Sequence, residues 1–241
     1  MILLETANEL AQIAAHFEDP RAERFERDAQ TQMEKILDFF RDPKTRRIKE
    51  MASDDPELDD SFLGRYACPG HTLEGMWFAI HYARRTNQPK RIEQAVGSML
   101  AAIEMGWDRE QGGLFWFTDR ATGGKPAGPV PPALKGLELI KRYSENWDNK
   151  LWWPHSEGLY ALLLAYEMTK DEAILDEYWR MHEYTFRVFP NPDPAIGEWI
   201  QIRDRSGAPE QKVLALPVKD PMHIARAFCM CIALLRRMTE A

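Results

Sequence analysis

Three of the six histidines closely follow a proline: Pro69-Gly70-His71, Pro154-His155 and Pro221-Met222-His223. Each has a charged residue two or three places on, namely Glu74, Glu157 and Arg226. Imidazole titrates near neutral pH, so a histidine pair is a natural acid–base couple for moving a proton on a neutral substrate. Proline is tolerated in the first turn of a helix and breaks what precedes it, so each histidine is expected to open a helix. In CPGHTLEGMWFAI, residues 68–80, the helix is expected from about His71, with Leu73, Met76, Trp77 and Ile80 on one stripe. His71 and Glu74 then lie one turn apart on one face, within reach of each other. The positive end of the helix dipole disfavours imidazolium, so the expectation is a neutral His71 held by Glu74. Singly, such residues read equally as helix caps. Together they converge on one mouth if the helices form a ring, and three imidazoles, two carboxylates and a guanidinium make a candidate site.

His71 and Glu74 could instead hold a cation. The sequence shows no HExxH and no cysteine partner at ligand spacing, so no metal is expected. Trp116, Trp152 and Trp153 lie beside the candidate residues; their indoles could cover the apolar face of a sugar ring or fill core. The glycine pairs at 112–113 and 123–124 match no phosphate-binding loop.

Helical periodicity dominates the elements that would position these residues. Stripes run from Leu3 to Phe17 and from Ala22 to Phe40, followed by the helix near His71. Further helices are expected over 92–103, 159–168, 171–189 and 222–238, which makes seven. Strand signals are few: GGLFWFTD (112–119), and EWIQI (198–202) with KVLAL (212–216) as a hairpin. A Gly/Pro-rich loop, TDRATGGKPAGPVPP, separates Thr118 from Pro132. No domain boundary shows within residues 1–241, and helix pairs in series suggest a toroid or solenoid.

With 241 residues, 44% hydrophobic, the chain can bury a sizeable core. Its net charge of −7, without lysine or arginine runs, argues against nucleic acid or an anionic membrane as partner. MILLETANEL lacks the basic start of a signal peptide, and no apolar stretch approaches a membrane span. Cys68, Cys229 and Cys231 form no CxxC pair and read as reduced thiols of a cytoplasmic protein.

CPGHTLEGMWF, GWDREQGGLFWF, KLWWPHSEGL, EYTFRVF, GEWI and DPMHIAR occur in that order. The whole chain thereby resembles the N-acylglucosamine 2-epimerase family, whose relatives include mannose isomerases and cellobiose 2-epimerases. The resemblance implies an all-α (α/α)6 toroid of twelve helices, built without a metal, acting on a ring-opened sugar. It implies that His71 and His223 exchange the proton at C2, with Glu74 supporting His71. Glu157 would bind substrate, and Arg226, Lys219, Trp153, His155 and Trp116 would line the same mouth. No cofactor is implied, although a nucleotide such as ATP activates some members. The first residue matches what looks like the family's sixth helix, so about seven of the twelve helices are expected here. A substrate-holding arginine lies in the part without a counterpart. A homodimer or a completing chain is the expected answer to the uncovered inner faces. Other readings stay open: a mannose-type isomerase, a non-catalytic or sugar-binding fragment, or a glycoside hydrolase using Glu74 and Glu157.

Overall fold

In the computed structural model, residues 1–211 and 221–240 are described. The long helices are α1 (Ile2–His16), α2 (Ala22–Glu34), α5 (Pro69–Arg85), α6 (Pro89–Gly106), α8 (Trp152–Thr169), α9 (Glu172–Val188) and α10 (Arg226–Glu240). Short helices α3 (Pro56–Asp59), α4 (Phe62–Arg65) and α7 (Glu138–Glu145) lie in the connections. Wide π turns extend α2 over Lys35–Phe40 and precede α10 over Pro221–Ala225. The seven expected helices are therefore all found. Three start earlier than their stripes suggest: Pro69 and Pro89 occupy first helical positions, where a missing N–H costs little, and Trp152 opens α8 with its N–H given to the Gln201 carbonyl.

α1 packs on α2 and α5, α5 on α6 and α8, and α8 on α9 and α10. An inner layer of α1, α5, α8 and α10 is thus backed by an outer layer of α2, α6 and α9. α5 and α8 are buried nearly all round, from Leu73 to Ala83 and from Ser156 to Ala165 except His81. α1 and α10 close the arc and bury one face each, Leu4, Ala7, Ala11 and Ala14 in one, Ala227, Cys231 and Leu234 in the other. Helix pairs curving in two layers are the (α/α) toroid architecture.

The strands are two-residue clips that fix the connections. β1 (Tyr66–Ala67) pairs antiparallel with β2 (Thr118–Asp119), and β3 (Lys150–Leu151) with β4 (Ile202–Arg203). Only the end of GGLFWFTD is strand; Trp116 and Phe117 instead donate their N–H groups to Asn149 and Trp147 carbonyls. Of the expected 198–216 hairpin the described part turns back on itself, with Arg203 bridging Pro209 antiparallel and the Glu210 N–H donating to the Ile202 carbonyl, while Ile202–Arg203 also pairs with Lys150–Leu151; KVLAL lies outside the described residues. Buried Asp119 organises the Gly/Pro loop, accepting from the N–H groups of Ala121, Thr122 and Ala127 and from the Arg65 guanidinium. Burial pushes its carboxyl up, but Arg65 and these donors outweigh that and hold it below the usual carboxylate range.

A buried ionic knot fixes how the chain enters α8. Asp108, after α6, accepts from Lys150 Nζ at 3.0 Å and from Arg205 at 2.8 and 3.1 Å. Lys150 is fully buried, with its ammonium 4.0 Å from the centre of the Phe115 ring. Burial pulls its pKa down to about 8, with Asp108 opposing. Removing Asp108 leaves a buried ammonium without its counter-charge, which costs about 3–5 kcal/mol. Asp108→Ala should therefore unfold at markedly lower urea concentration than the parent; a loss under about 1 kcal/mol would show that the knot is a surface-like pair.

Candidate active site

Trp153 in the first turn of α8 is the common neighbour of two of the histidines. Its ring stacks on His71 at a centroid separation of 5.2 Å and lies tilted against His223 at 5.5 Å. A Cβ on Gly70 would come within 2.7 Å of the Trp153 ring, so glycine is what lets the start of α5 close on the start of α8. On Gly106 it would meet Pro69 at 2.3 Å, which brings α6 equally close.

Each imidazole is held by its own carboxylate. His223 Nδ1 lies 2.7 Å from Glu157 Oε1, and His71 Nδ1 lies 3.0 Å from Glu50 Oε2. Glu157 is 1% exposed, and also accepts from Trp77 Nε1 at 2.7 Å and from Arg226. Arg226 stands over the Trp77 ring at 5.0 Å and reaches Glu74 at 3.6 Å. Its Nε is buried with no hydrogen-bond partner among the described residues. Burial pushes the Glu74 carboxyl up and Glu157 adds to this, with His223, Arg226 and His71 opposing.

The geometry corrects four expectations. The carboxylate beside His71 is Glu50, not Glu74, because Glu74 turns towards Arg226 and Glu157. Glu50 sits in the 41–68 connection, where no periodicity points to it; its other oxygen accepts the Cys68 N–H at 3.1 Å. Nor is His71 biased towards the neutral form. Burial pulls its pKa down, but Cys68 and Glu50 outweigh that and raise it to about 12. A close carboxylate is stronger than the diffuse field of a helix end.

His155, third, does not join the cluster. It is fully buried; its Nδ1–H donates to the Leu151 carbonyl at 2.6 Å, and its Nε2 accepts the Leu114 N–H at 2.9 Å. The ring packs on Tyr184 and Phe189, facing the outer layer. Trp116, fourth, is buried with Phe117 and Tyr143 in the apolar cluster that backs Cys68 and Trp153, behind the mouth instead of lining it. Lys219 lies outside the described residues.

His71 and Glu50 open onto a cleft of about 350 Å³ that Met1, Phe40, Ile48 and Met76 also line. Two groups could hold a cation, since their donor atoms lie within 4.8 Å of one another: Glu50, Cys68 and His71, and Glu74, Glu157 and His223. Cys68, one turn before His71, thus lies within donor reach of it, against the expectation of no cysteine partner at ligand spacing. No helix among the described residues is long and apolar enough to cross a membrane.

Residues 9–227 match the N-acylglucosamine 2-epimerase (GlcNAc 2-epimerase) family. The chain belongs to that family. It is 36% identical over 199 residues to N-acylglucosamine 2-epimerase of Mus musculus, covering 80% of this chain and 43% of that one. The Bos taurus enzyme of the same name is 33% identical over 235 residues, covering 97% of this chain and 48% of that one. The chain thus spans about half the length of the curated relatives it matches. The solved cellobiose 2-epimerase of Bacillus thermoamylovorans B4167 superposes with a TM-score of 0.67 at 18% identity, over 97% of this chain and 51% of that one. That likeness shows the toroid fold. Within the epimerase family's frame, two histidines meet at one tryptophan and the third is structural.

The structural histidine predicts a pH dependence. Burial pulls the His155 pKa from 6.5 to about 3, against the Leu151 carbonyl that favours its proton. The unfolded chain therefore binds the extra proton first, and stability present above about pH 6.5 is lost as pH falls towards about 3. By pH 5 the loss from this residue amounts to about 2 kcal/mol. Urea unfolding at pH 7 and pH 5 should show a steeper decline for the parent than for His155→Gln. Equal declines would mean that His155 is protonated in the fold.

Proposed function

We propose that this chain carries the acid–base half of a sugar 2-epimerase, acting on N-acyl-D-glucosamine to give N-acyl-D-mannosamine. The observation that supports it most is the paired arrangement: two imidazoles against one indole, each with Nδ1 engaged by a different carboxylate. Engaging Nδ1 assigns the chemistry to Nε2 on both rings.

Hydrogen on a carbon beside a carbonyl is only weakly acidic, so the protein must remove it and stabilise the enolate. In the ring-opened sugar the aldehyde at C1 makes the C2 hydrogen removable. One histidine takes that proton from one face, and the other returns a proton to the opposite face, which inverts C2. Positioned acid–base groups of this kind each supply about 10²- to 10⁴-fold. Arg226 is the candidate donor to the enolate oxygen, since its buried Nε–H lacks a partner among the described residues. Glu157 orients His223 and Arg226 together, and Trp153 offers the face on which the sugar chain rests. An acylamino group at C2 blocks ketose formation and leaves epimerisation as the outcome. With hydroxyl at C2, the same enediol passes its proton to C1 and the activity becomes that of an aldose–ketose isomerase. No nucleotide site is assigned.

The assembly part of this reading rests on exposed apolar side chains of the terminal inner helices. Leu3 and Ile13 of α1 and Phe17 just after it are 66%, 52% and 74% exposed, and Ile232 and Leu235 of α10 are 50% and 41% exposed. Apolar surface of this kind is covered by a second copy or a completing chain. Light scattering should give a mass above that of one chain, lowered by Phe17→Glu; a monomer for the parent would overturn the assembly.

For the chemistry, reaction in heavy water should place one solvent deuterium at C2 of the product. His71→Asn and His223→Asn should each lower turnover by about 10² or more. One variant should still exchange the C2 proton of the first epimer, and the other that of the second, because each imidazole reaches one face. Full activity in either variant, or inversion without deuterium at C2, would dismiss the pair.

A further inference from the structure

Cys68, Glu50 and His71 combine donors that the epimerase reading leaves partly unused. The three offer one sulfur, one carboxylate oxygen and one imidazole nitrogen, all within 4.8 Å of one another. Thiolate and imidazole together suit a thiophilic, borderline-soft divalent ion, and three protein ligands with an open fourth position are the usual set for non-structural zinc. Zinc holds sulfur at about 2.3 Å and nitrogen or oxygen at about 2.0–2.2 Å, so its donors stand about 3–4 Å apart. The His71–Glu50 separation of 3.0 Å already meets this, and the others need only a small closure.

The surroundings are those of a built site. Cys68 is fully buried, Glu50 is pinned through its second oxygen by the Cys68 N–H, and the His71 ring is held flat against Trp153. Such outer contacts fix ligand direction. The 350 Å³ cleft that reaches Glu50 and His71 gives an ion its way in. The other donor group, Glu74, Glu157 and His223, has no sulfur and already holds the Arg226 cation.

We propose that Glu50, Cys68 and His71 form an inhibitory binding site for a thiophilic divalent cation such as zinc. Binding releases two protons to solvent, one from the Cys68 thiol and one from between His71 Nδ1 and Glu50. With Nδ1 on the metal, the imidazole keeps its remaining hydrogen on Nε2 and has no lone pair to act as a base. The occupied site therefore silences His71. That consequence rests on the epimerase reading, whereas the binding itself does not.

Cobalt(II) titration of the full chain in a phosphine reductant tests the binding, because a cobalt–thiolate bond gives a near-ultraviolet charge-transfer band. The expected result is a saturable band that zinc displaces. The band should persist in Cys229→Ser, which removes the exposed thiol of α10. It should vanish in Cys68→Ser and Cys68→Ala, and Glu50→Gln and His71→Asn should weaken affinity by at least about 10-fold. Circular dichroism matching the parent keeps each variant interpretable. No band in the parent, a band that survives loss of Cys68, or cobalt bound without thiolate character would each overturn the site. Where the parent turns over, zinc should inhibit it, a chelator should restore it, and Cys68→Ser should be less sensitive; undiminished turnover with the band saturated would overturn the inhibition while leaving the binding intact. An inactive parent with the band would count against the epimerase reading alone.

Discussion

Glu157 is almost wholly withdrawn from water, and a carboxylate in that position needs donors or loses its charge. Its donors come from separate elements: Trp77 from α5, and His223 and Arg226 from the segment that opens α10. Losing any of them leaves a buried charge short of a partner, so the helix starts are bound to one geometry. The candidate site follows from that constraint. With Glu157 on α8 as the fixed point, Trp153 one turn earlier meets His223, and glycine at position 70 lets His71 reach the same indole.

A second buried set of polar groups stands behind the first and keeps it in place. Asp108, Lys150 and Arg205 tie the end of α6, the strand before α8 and the loop after β4 into one knot. His155 adds a staple, joining the Leu151 carbonyl to the Leu114 amide across the same entry. Asp108, Lys150 and His155 are closed off from solvent, while Arg205 reaches in from the surface. They rigidify the frame on which Trp153 and Glu157 are presented, as a functional constellation requires.

His71 and His155 share a local sequence context yet have opposite protonation tendencies. Beside Glu50 and Cys68 the imidazole is favoured as a cation; between two backbone groups in the aromatic core it is held neutral. Burial acts on both in the same direction, and it is the sign of the neighbouring charge, Cys68 and Glu50 for one and Lys150 for the other, that separates them. The same neighbours that charge His71 are those that would surrender it to a thiophilic metal.

Much of the fold was legible because it rests on local rules. Apolar spacing of 3.6 residues marked all seven long helices, proline marked the start of α5 and of the turn into α10, and the ordered motifs around His71, Glu157 and His223 marked the family. What the spacing could not carry was direction across the fold. One turn on a helix makes Glu74 a plausible partner for His71, but packing turns it to Arg226 and brings Glu50 from a stretch without periodicity. Trp116 and His155 sit in motifs as suggestive as those of Trp153 and His223, yet both face into aromatic core. Residue type and spacing determined which chemistry was available and which stretches are helical. Only the tertiary structure decided which carboxylate meets which imidazole, because that pairing depends on contacts between elements up to 80 residues apart, as for Trp77 and Glu157.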